Sequence, residues 1–331
     1  MEVLCFGNIV ADLRRPSEEA DRGGEPLRIV DRPVELRVGG VAILAVALKR
    51  IGLAVGLMGA VGRDLTGYGL REYLRTEVGI EVQGVRVLEA PTSASFIRLS
   101  GGQRYVEHSL GASGQLSPDD GDLAIVKKSA PRLVATGYAG LLPRLDAECG
   151  ERMAQWIESV QAMGALAALD THTVPPYHML ERPLRVVDVF ICNREEGRGI
   201  TGLPDAAPEE VVARLWKRFP HKDPGKPRLL GMTTADGVQL AYGRGDDVTT
   251  AWVRNPAFGI LSPEDLTGAG DCFRAGVYAH LVQHAAEWGR GQLDLHRLGS
   301  WGHAVAAECL ATRSIHPPSL SALEASEDVA H

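Results

Sequence analysis

The chain has 331 residues, of which 45% are apolar and 23% charged, and its formal net charge is −7. That length accommodates one large α/β domain or two ordinary ones, with enough apolar residues for a sizeable core. The negative balance excludes a global attraction to nucleic acid or to an anionic membrane. A polyanionic ligand would have to be held locally, by backbone amides, a helix N-terminus or a metal ion. The five cysteines (Cys5, Cys149, Cys192, Cys272 and Cys309) are scattered and never form a CxxC pair. They read as free buried thiols of a reducing compartment. The N-terminus runs directly into a strand-like segment, and no apolar stretch reaches ~18 residues. The expectation is a cytoplasmic protein with neither a signal peptide nor a membrane span.

In chain order, residues 3–6 read as a buried strand ending at Gly7. Residues 41–51 carry a helical apolar face and stop at Gly52. Residues 54–58 read as a strand, followed by a glycine-punctuated turn at 59–64 and a helix at 68–78. Further apolar runs at 133–136, 165–169, 186–191 and 229–232 alternate with helical stretches such as 147–163 and 208–219. Strands alternating with helices predict an α/β fold with a mostly parallel sheet covered on both faces. Two regions break the rhythm. Residues 13–38 are polar and rich in Arg, Glu and Pro, and residues 92–109 alternate like exposed strands around a hairpin turn at Gly101-Gly102. Both are assigned to a small β-lid, formed by 13–38 and 92–112, inserted into a single domain spanning 1–331. The tail after Pro317 reads as a frayed terminus.

The segment Asp265-Leu266-Thr267-Gly268-Ala269-Gly270-Asp271-Cys272-Phe273-Arg274-Ala275-Gly276 carries the most chemistry. Gly268-Ala269-Gly270 permits a tight turn that a ligand can approach closely. An apolar helical run follows, so the turn presents unpaired N–H groups and a positive dipole end to an anion. Asp271 at that helix start either caps the helix or, with an anion alongside, accepts a proton from an attacking hydroxyl.

This segment resembles, at every fixed position, the C-terminal signature of the ribokinase-like (PfkB) sugar kinases, D-t-x-G-A-G-D-x-F-x-A-G. The resemblance implies a ribokinase-like three-layer α/β/α sandwich that phosphorylates a sugar hydroxyl from ATP. It makes Gly268, Ala269 and Gly270 the anion hole, through the amides of Ala269, Gly270 and Asp271, and it makes Asp271 the general base. Gly7…Asp12 is similar to the family's G-x-x-x-x-D, which implies that Asp12 binds acceptor hydroxyls, together with the Gly39-Gly40 turn. Asn193-Arg194-Glu195-Glu196 is similar to N-x-x-E, which implies that Asn193 and Glu196 organise Mg²⁺, chiefly through water. Thr234, Asp236 and Gly237 correspond to a turn near the nucleotide, and residues 301–311 to a wall of the adenine pocket. Residues 59–67 resemble G-x-V-G-x-D-x-x-G, a structural turn. The family also implies a homodimer paired through the lid, and it allows a monovalent cation.

The acceptor end departs from the pattern. Leu44 stands where the family has a sugar-binding Asn, Thr234 replaces a common Gly, and Ser113 in Gly111-Ala112-Ser113 replaces an Asn. These departures keep open an adenosine-like nucleoside kinase, or a non-catalytic ligand-binding member of the fold. Gly197-Arg198-Gly199-Ile200-Thr201-Gly202 matches GxGxxG formally, but no opening helix is evident and an acidic pair precedes it, so a dinucleotide site is set aside. There is no GxxxxGK[ST]. Asp170-Thr171-His172 with His178 reads as scattered polar residues rather than a metal site. Arg14-Arg15 and Lys127-Lys128 read as solvated faces.

Overall fold

The computed structural model describes residues 1–16, 34–100, 103–172, 177–260, 266–312 and 315–325. The first strand, β1 (Val3–Pro16), is followed by β2 (Glu35–Gly40), α1 (Val41–Ile51), β3 (Val55–Gly62), α2 (Leu65–Thr76) and β4 (Glu81–Leu88). The hairpin β5 (Ser93–Ser100) and β6 (Gln103–Ser109) precedes α3 (Asp120–Ser129), β7 (Leu133–Ala139), α4 (Pro143–Ala162) and β8 (Leu166–Thr171). Then come β9 (Val189–Asn193), α5 (Arg194–Thr201), α6 (Pro208–Arg218), β10 (Arg228–Thr233), β11 (Gly237–Arg244) and β12 (Asp247–Arg254). The chain closes with α7 (Ala269–Gln283), α8 (Ala285–Arg290), α9 (Leu295–Ala311) and α10 (Leu320–Ala325).

The main strands lie in the order β12-β11-β10-β9-β8-β7-β1-β3-β4. From β4 to β10 every neighbouring pair is parallel, and β11 and β12 add an antiparallel edge. Alternation along each strand builds two cores. Val3, Cys5, Leu133 and Ala135 face one, where α1, α2, α7 and α9 pack. Leu4, Phe6, Val134 and Leu169 face the other, where α4 and α6 pack. This is the expected sheet with helices on both faces. Among the described residues, no helix is long and apolar enough to cross a membrane.

Several boundaries differ from expectation. The first strand does not end at Gly7. It continues to Pro16, pairing with β3 and β7 as far as residues 7–8, then with β2 and β5. One strand therefore joins the main sheet to the lid. Gly7 allows this because a Cβ there would overlap the Gly137 carbonyl oxygen on β7. Residues 59–62, read as a turn, complete β3, because Gly59 pairs beside Gly7. The turn begins at Arg63, and Asp64 caps α2 by accepting from the Gly67 amide at 2.7 Å. The lid is a small sheet of β2, β1, β5 and β6. Its expected turn at Gly101-Gly102, and residues 17–33, lie outside the described residues. The expected frayed tail instead contains α10, with Leu323 buried in the core. The helix expected at 147–163 is the second part of α4, which is broken at Ala147–Gly150. Cys149 sits in that break and is exposed, whereas the other four cysteines are buried, and all five are free.

His280 lies inside the α7–α9 layer, fully buried, with neither ring nitrogen hydrogen-bonded among the described residues. It packs edge-on against Trp301 at 5.2 Å and beside His284 at 4.4 Å. Burial first, and then the nearby His284 and Arg297, push its pKa down to about 3. The folded value lies below the ordinary value of about 6.5, so the unfolded chain binds the extra proton. Stability is therefore full above pH ~6.5 and is lost as pH falls from there towards 3. His280→Leu is expected to keep the urea midpoint at pH 7 and to lose less of it at pH 4.5 than the parent chain. Equal losses in both proteins would remove His280 as the cause.

Candidate active site

The C-terminal ends of the parallel strands form one edge of the sheet, where open α/β folds bind their ligands. The start of α7 lies over this edge. Gly268 is the residue before the helix, at φ 81, a left-handed conformation that a side chain would strain. Its packing neighbour is Ile43 of α1. The Ala269 amide donates to the Leu266 carbonyl at 3.1 Å, and the first helical bond runs from Cys272 to Gly268. Of the three amides expected to hold an anion, Ala269 is therefore engaged. Those of Gly270 and Asp271 donate to no described residue. Asp265, the first residue of the signature, lies outside the described residues.

Asp271 is not the helix cap. Its buried carboxylate points across to β7, where the Tyr138 hydroxyl donates to Oδ1 in a short hydrogen bond. Arg274, one turn later on α7, donates from Nη2 to the same Oδ1 at 3.1 Å. The Arg274 Nε lies 2.9 Å from Asp170 Oδ1 at the end of β8. Tyr278 donates to that oxygen as well, at 3.1 Å. Burial, partly offset by Arg274, pushes Asp170 up to about 6. Sequence reading missed Tyr138, Asp170, Arg274 and Tyr278. Arg274 occupies a variable position of the signature, and Asp170 was grouped with His172 and His178. Among the described residues, no cluster of His, Cys, Asp and Glu suited to a metal forms there. The His172 ring instead packs on Tyr138 at 5.4 Å.

On the lid side, Asp12 is buried on β1 beside the Gly39-Gly40 turn. A Cβ at Gly39 would overlap the Asp12 carboxylate, and one at Gly40 would overlap the Asn8 carbonyl. Gly40 also sits at φ 66, so the turn requires glycine twice over. Asn8 is 1% exposed, and neither end of its carboxamide has a hydrogen-bond partner among the described residues. A buried amide left unpaired is costly, which marks Asn8 as a further candidate for ligand contact. On the lid, Ser95 is paired opposite Asp12, and its hydroxyl lies 3.1 Å from His108 Nδ1. Leu44, expected at the acceptor position, is buried in the core. The α1 side chain beside the anion turn is Ile43. Ser113 is buried and structural, accepting from the Ile9 amide at 3.3 Å and from the Ser93 hydroxyl at 2.8 Å.

At the other end of the edge, Asn193 and Glu196 form a capping box at the start of α5. The Glu196 amide donates to Asn193 Oδ1 at 2.9 Å, and the Asn193 amide donates to Glu196 Oε2 at 3.0 Å. Glu196 is 4% exposed rather than solvated. Burial pushes it up to about 7, against the opposing Asn193 amide and Arg274. Thr234, Asp236 and Gly237 form the β10–β11 turn, where the Thr234 hydroxyl donates to Asp236 Oδ1 at 2.6 Å and the Gly237 amide donates to Thr234 Oγ1 at 3.2 Å. Arg194 lies 3.7 Å from Asp236, which links this turn to α5. Gly197 and Gly199 of the GxGxxG match lie inside α5 and Gly202 caps its C-terminal end, so none opens a helix. Gly199 packs against the Tyr177 ring and Gly197 against Met232, so they serve close packing. On α9, Trp301 is buried against His280. A cavity of about 530 Å³ near Arg132, Leu281 and Trp288 lies at the far end of α7, away from Asp271.

Known proteins match this arrangement along most of its length. The chain is 24% identical over 294 residues to the probable fructokinase-7 of Arabidopsis thaliana, covering 85% of this chain and 78% of that protein. The fold superposes on Arabidopsis thaliana ribokinase complexed with ribose and ATP at a TM-score of 0.73, with 22% identity and coverage of 98% of this chain and 97% of that one. Fructokinase with bound ATP from Xylella fastidiosa gives a TM-score of 0.75, with 21% identity and coverage of 100% and 99%. Ribokinase from Giardia lamblia gives 0.78, with 18% identity and coverage of 98% and 99%. The description of the pfkB family carbohydrate kinases matches residues 1–320. The chain therefore belongs to the pfkB family of carbohydrate kinases, phosphotransferases that act on sugar.

Proposed function

We propose that the whole chain acts as one kinase domain that transfers the γ-phosphoryl group of ATP to a sugar hydroxyl, with Asp271 as general base. The observation that carries this reading is the position of Asp271. It is a buried carboxylate beside the open amides of Gly270 and Asp271, and these lie on the same sheet edge as the Asp12/Gly39 turn and the Asn193/Glu196 capping box. ATP as the donor is supported by the related ribokinase and fructokinase structures, which are described with ATP bound.

In this reading Asp12 and Asn8 hold acceptor hydroxyls, and the lid closes over them to exclude water. The acceptor O–H gives its proton to Asp271 as its oxygen forms the new bond to the γ-phosphorus. The bond from that phosphorus to the bridging oxygen breaks, and ADP leaves with the electron pair. The Gly270 and Asp271 amides stabilise charge on the group in transfer. The Thr234–Gly237 turn lies on the nucleotide side.

Asn193 and Glu196 suit a magnesium ion held through water, because both offer oxygen donors and Glu196 is a buried carboxylate that favours a proton or a cation beside it. Mg²⁺ bound there would neutralise charge on the phosphates. Glu196→Gln keeps the shape of the capping box and removes the charge. It is expected to raise the Mg²⁺ concentration for half-maximal rate by about 10–100-fold. An unchanged requirement would dissociate Glu196 from the metal.

The test of the function itself is sugar-dependent ADP release from MgATP across a panel of ketoses, aldoses and nucleosides, with the phosphorylated product identified. A sugar phosphate is the expected product. Turnover of nucleosides alone would redirect the acceptor assignment, and binding of sugar and ATP without any product would overturn the proposal.

A further inference from the structure

Two buried carboxylates share one guanidinium beneath the site. The Arg274, Asp170 and Asp271 side chains are 10%, 1% and 8% exposed. Both hydrogen bonds to Asp271, from Tyr138 and Arg274, fall on Oδ1, so Oδ2 accepts none among the described residues. Arg274 is itself divided, with Nη2 on Asp271 and Nε on Asp170.

We propose that Arg274 and Asp170 are positioning residues for the transfer: Arg274 holds Asp271 by Oδ1 and leaves Oδ2 to take the acceptor proton, while Asp170 takes a share of the guanidinium's charge. The inference rests on the reading of Asp271 as base. A guanidinium devoted to one buried carboxylate typically lowers its pKa by about 1–3, which would weaken a base that works near neutral pH. A second carboxylate on the same guanidinium opposes that effect. Before transfer, two carboxylates and one guanidinium leave one uncompensated negative charge. Once the acceptor proton sits on Asp271, Arg274 and Asp170 remain as a balanced pair. The buried cluster thus favours the protonated product of the step.

The other titratable groups facing this cluster come from several elements. Tyr138 on β7 and Tyr278 on α7 are held neutral by burial and the neighbouring carboxylates. Cys5 on β1 and Cys192 on β9 are held neutral by burial, and Cys272 on α7 by its contact with Cys309 and by burial. His172 stacks on Tyr138 from the end of β8. Glu196 on α5, pushed up to about 7, titrates near neutrality as Asp170 does.

The experiment is the pH profile of kcat/KM, from pH 5 to 9, for the sugar that the panel identifies. Asp170→Asn is expected to shift the acid limb to lower pH by about 1 and to lower the plateau. Arg274→Gln is expected to shift the limb the opposite way. Arg274→Lys, which keeps the charge, is expected to leave the limb near its original position with a reduced kcat. Opposite shifts support the inference, and equal losses of rate with an unmoved limb overturn it. If Arg274→Gln does not fold, Asp170→Asn decides alone, because its cluster stays balanced: a limb that stays or rises overturns the proposal. Asp271→Asn, measured alongside, separates the two readings. Loss of rate there with an unmoved limb in Asp170→Asn removes only this inference, whereas full rate in Asp271→Asn removes both.

Discussion

Replacing Asp271 with Asn is expected to slow phosphoryl transfer by about 10²–10⁴-fold while sugar and ATP still bind with near-original affinity. The amide keeps the shape of the carboxylate, and its oxygen can still accept from Tyr138 and Arg274. What it cannot do is take a proton. The substitution also leaves Arg274 paired one-to-one with Asp170, so the buried cluster stays balanced and the fold should hold. Single-turnover measurement of the phosphorylated sugar separates the chemical step from binding and product release. A variant rate close to that of the parent chain would show that another group takes the proton.

The second large effect concerns the last residue of the same signature. Gly276 lies on α7 where α9 crosses it, and a Cβ there would overlap the Trp301 carbonyl oxygen and come within 2.7 Å of the carbonyl carbon. These are backbone atoms, so no flexible side chain can move aside. Gly276→Ala is therefore expected to cost at least the ~1–3 kcal/mol usual for overpacking, seen as a lower urea midpoint. Gly270→Ala makes the contrast. The described atoms nearest a Cβ there are the end of the Arg274 side chain, at 3.7 Å or more. That variant is expected to fold normally and to lose rate, because the added methyl stands where a phosphate would approach. The two glycines would then divide the signature into a packing half and a phosphate half. A stable Gly276→Ala would contradict the packing assignment.

The parts legible from the sequence are those in which short stretches of chain do the work. Buried parallel strands appear as continuous apolar runs such as residues 229–232, and the small-residue turn at Gly268 acts through its own backbone. The continuation of β1 past Gly7 was hidden, because glycine usually punctuates a strand; here it answers a close approach from Gly137, which is distant in sequence. The Asp271 network was hidden for the same reason. Tyr138, Asp170 and Arg274 converge from β7, β8 and α7, and the Tyr138–Asp271 pair spans 133 residues. Counting along α1 gives position but not rotation: Leu44 turns to the core, and Ile43 lies beside the anion turn. The capping box at Asn193 and Glu196 was visible as spacing, but its burial, which raises Glu196, depends on packing across the sheet.

The most direct test of the central claim is a crystal structure with Mg²⁺, a non-hydrolysable ATP analogue and the identified sugar bound together. Asp271 Oδ2 is expected within about 2.6–3.2 Å of the hydroxyl that becomes phosphorylated, with the γ-phosphate against the Gly270 and Asp271 amides. A reactive hydroxyl that instead contacts Asp12 or Glu196, with Asp271 out of reach, would contradict the account.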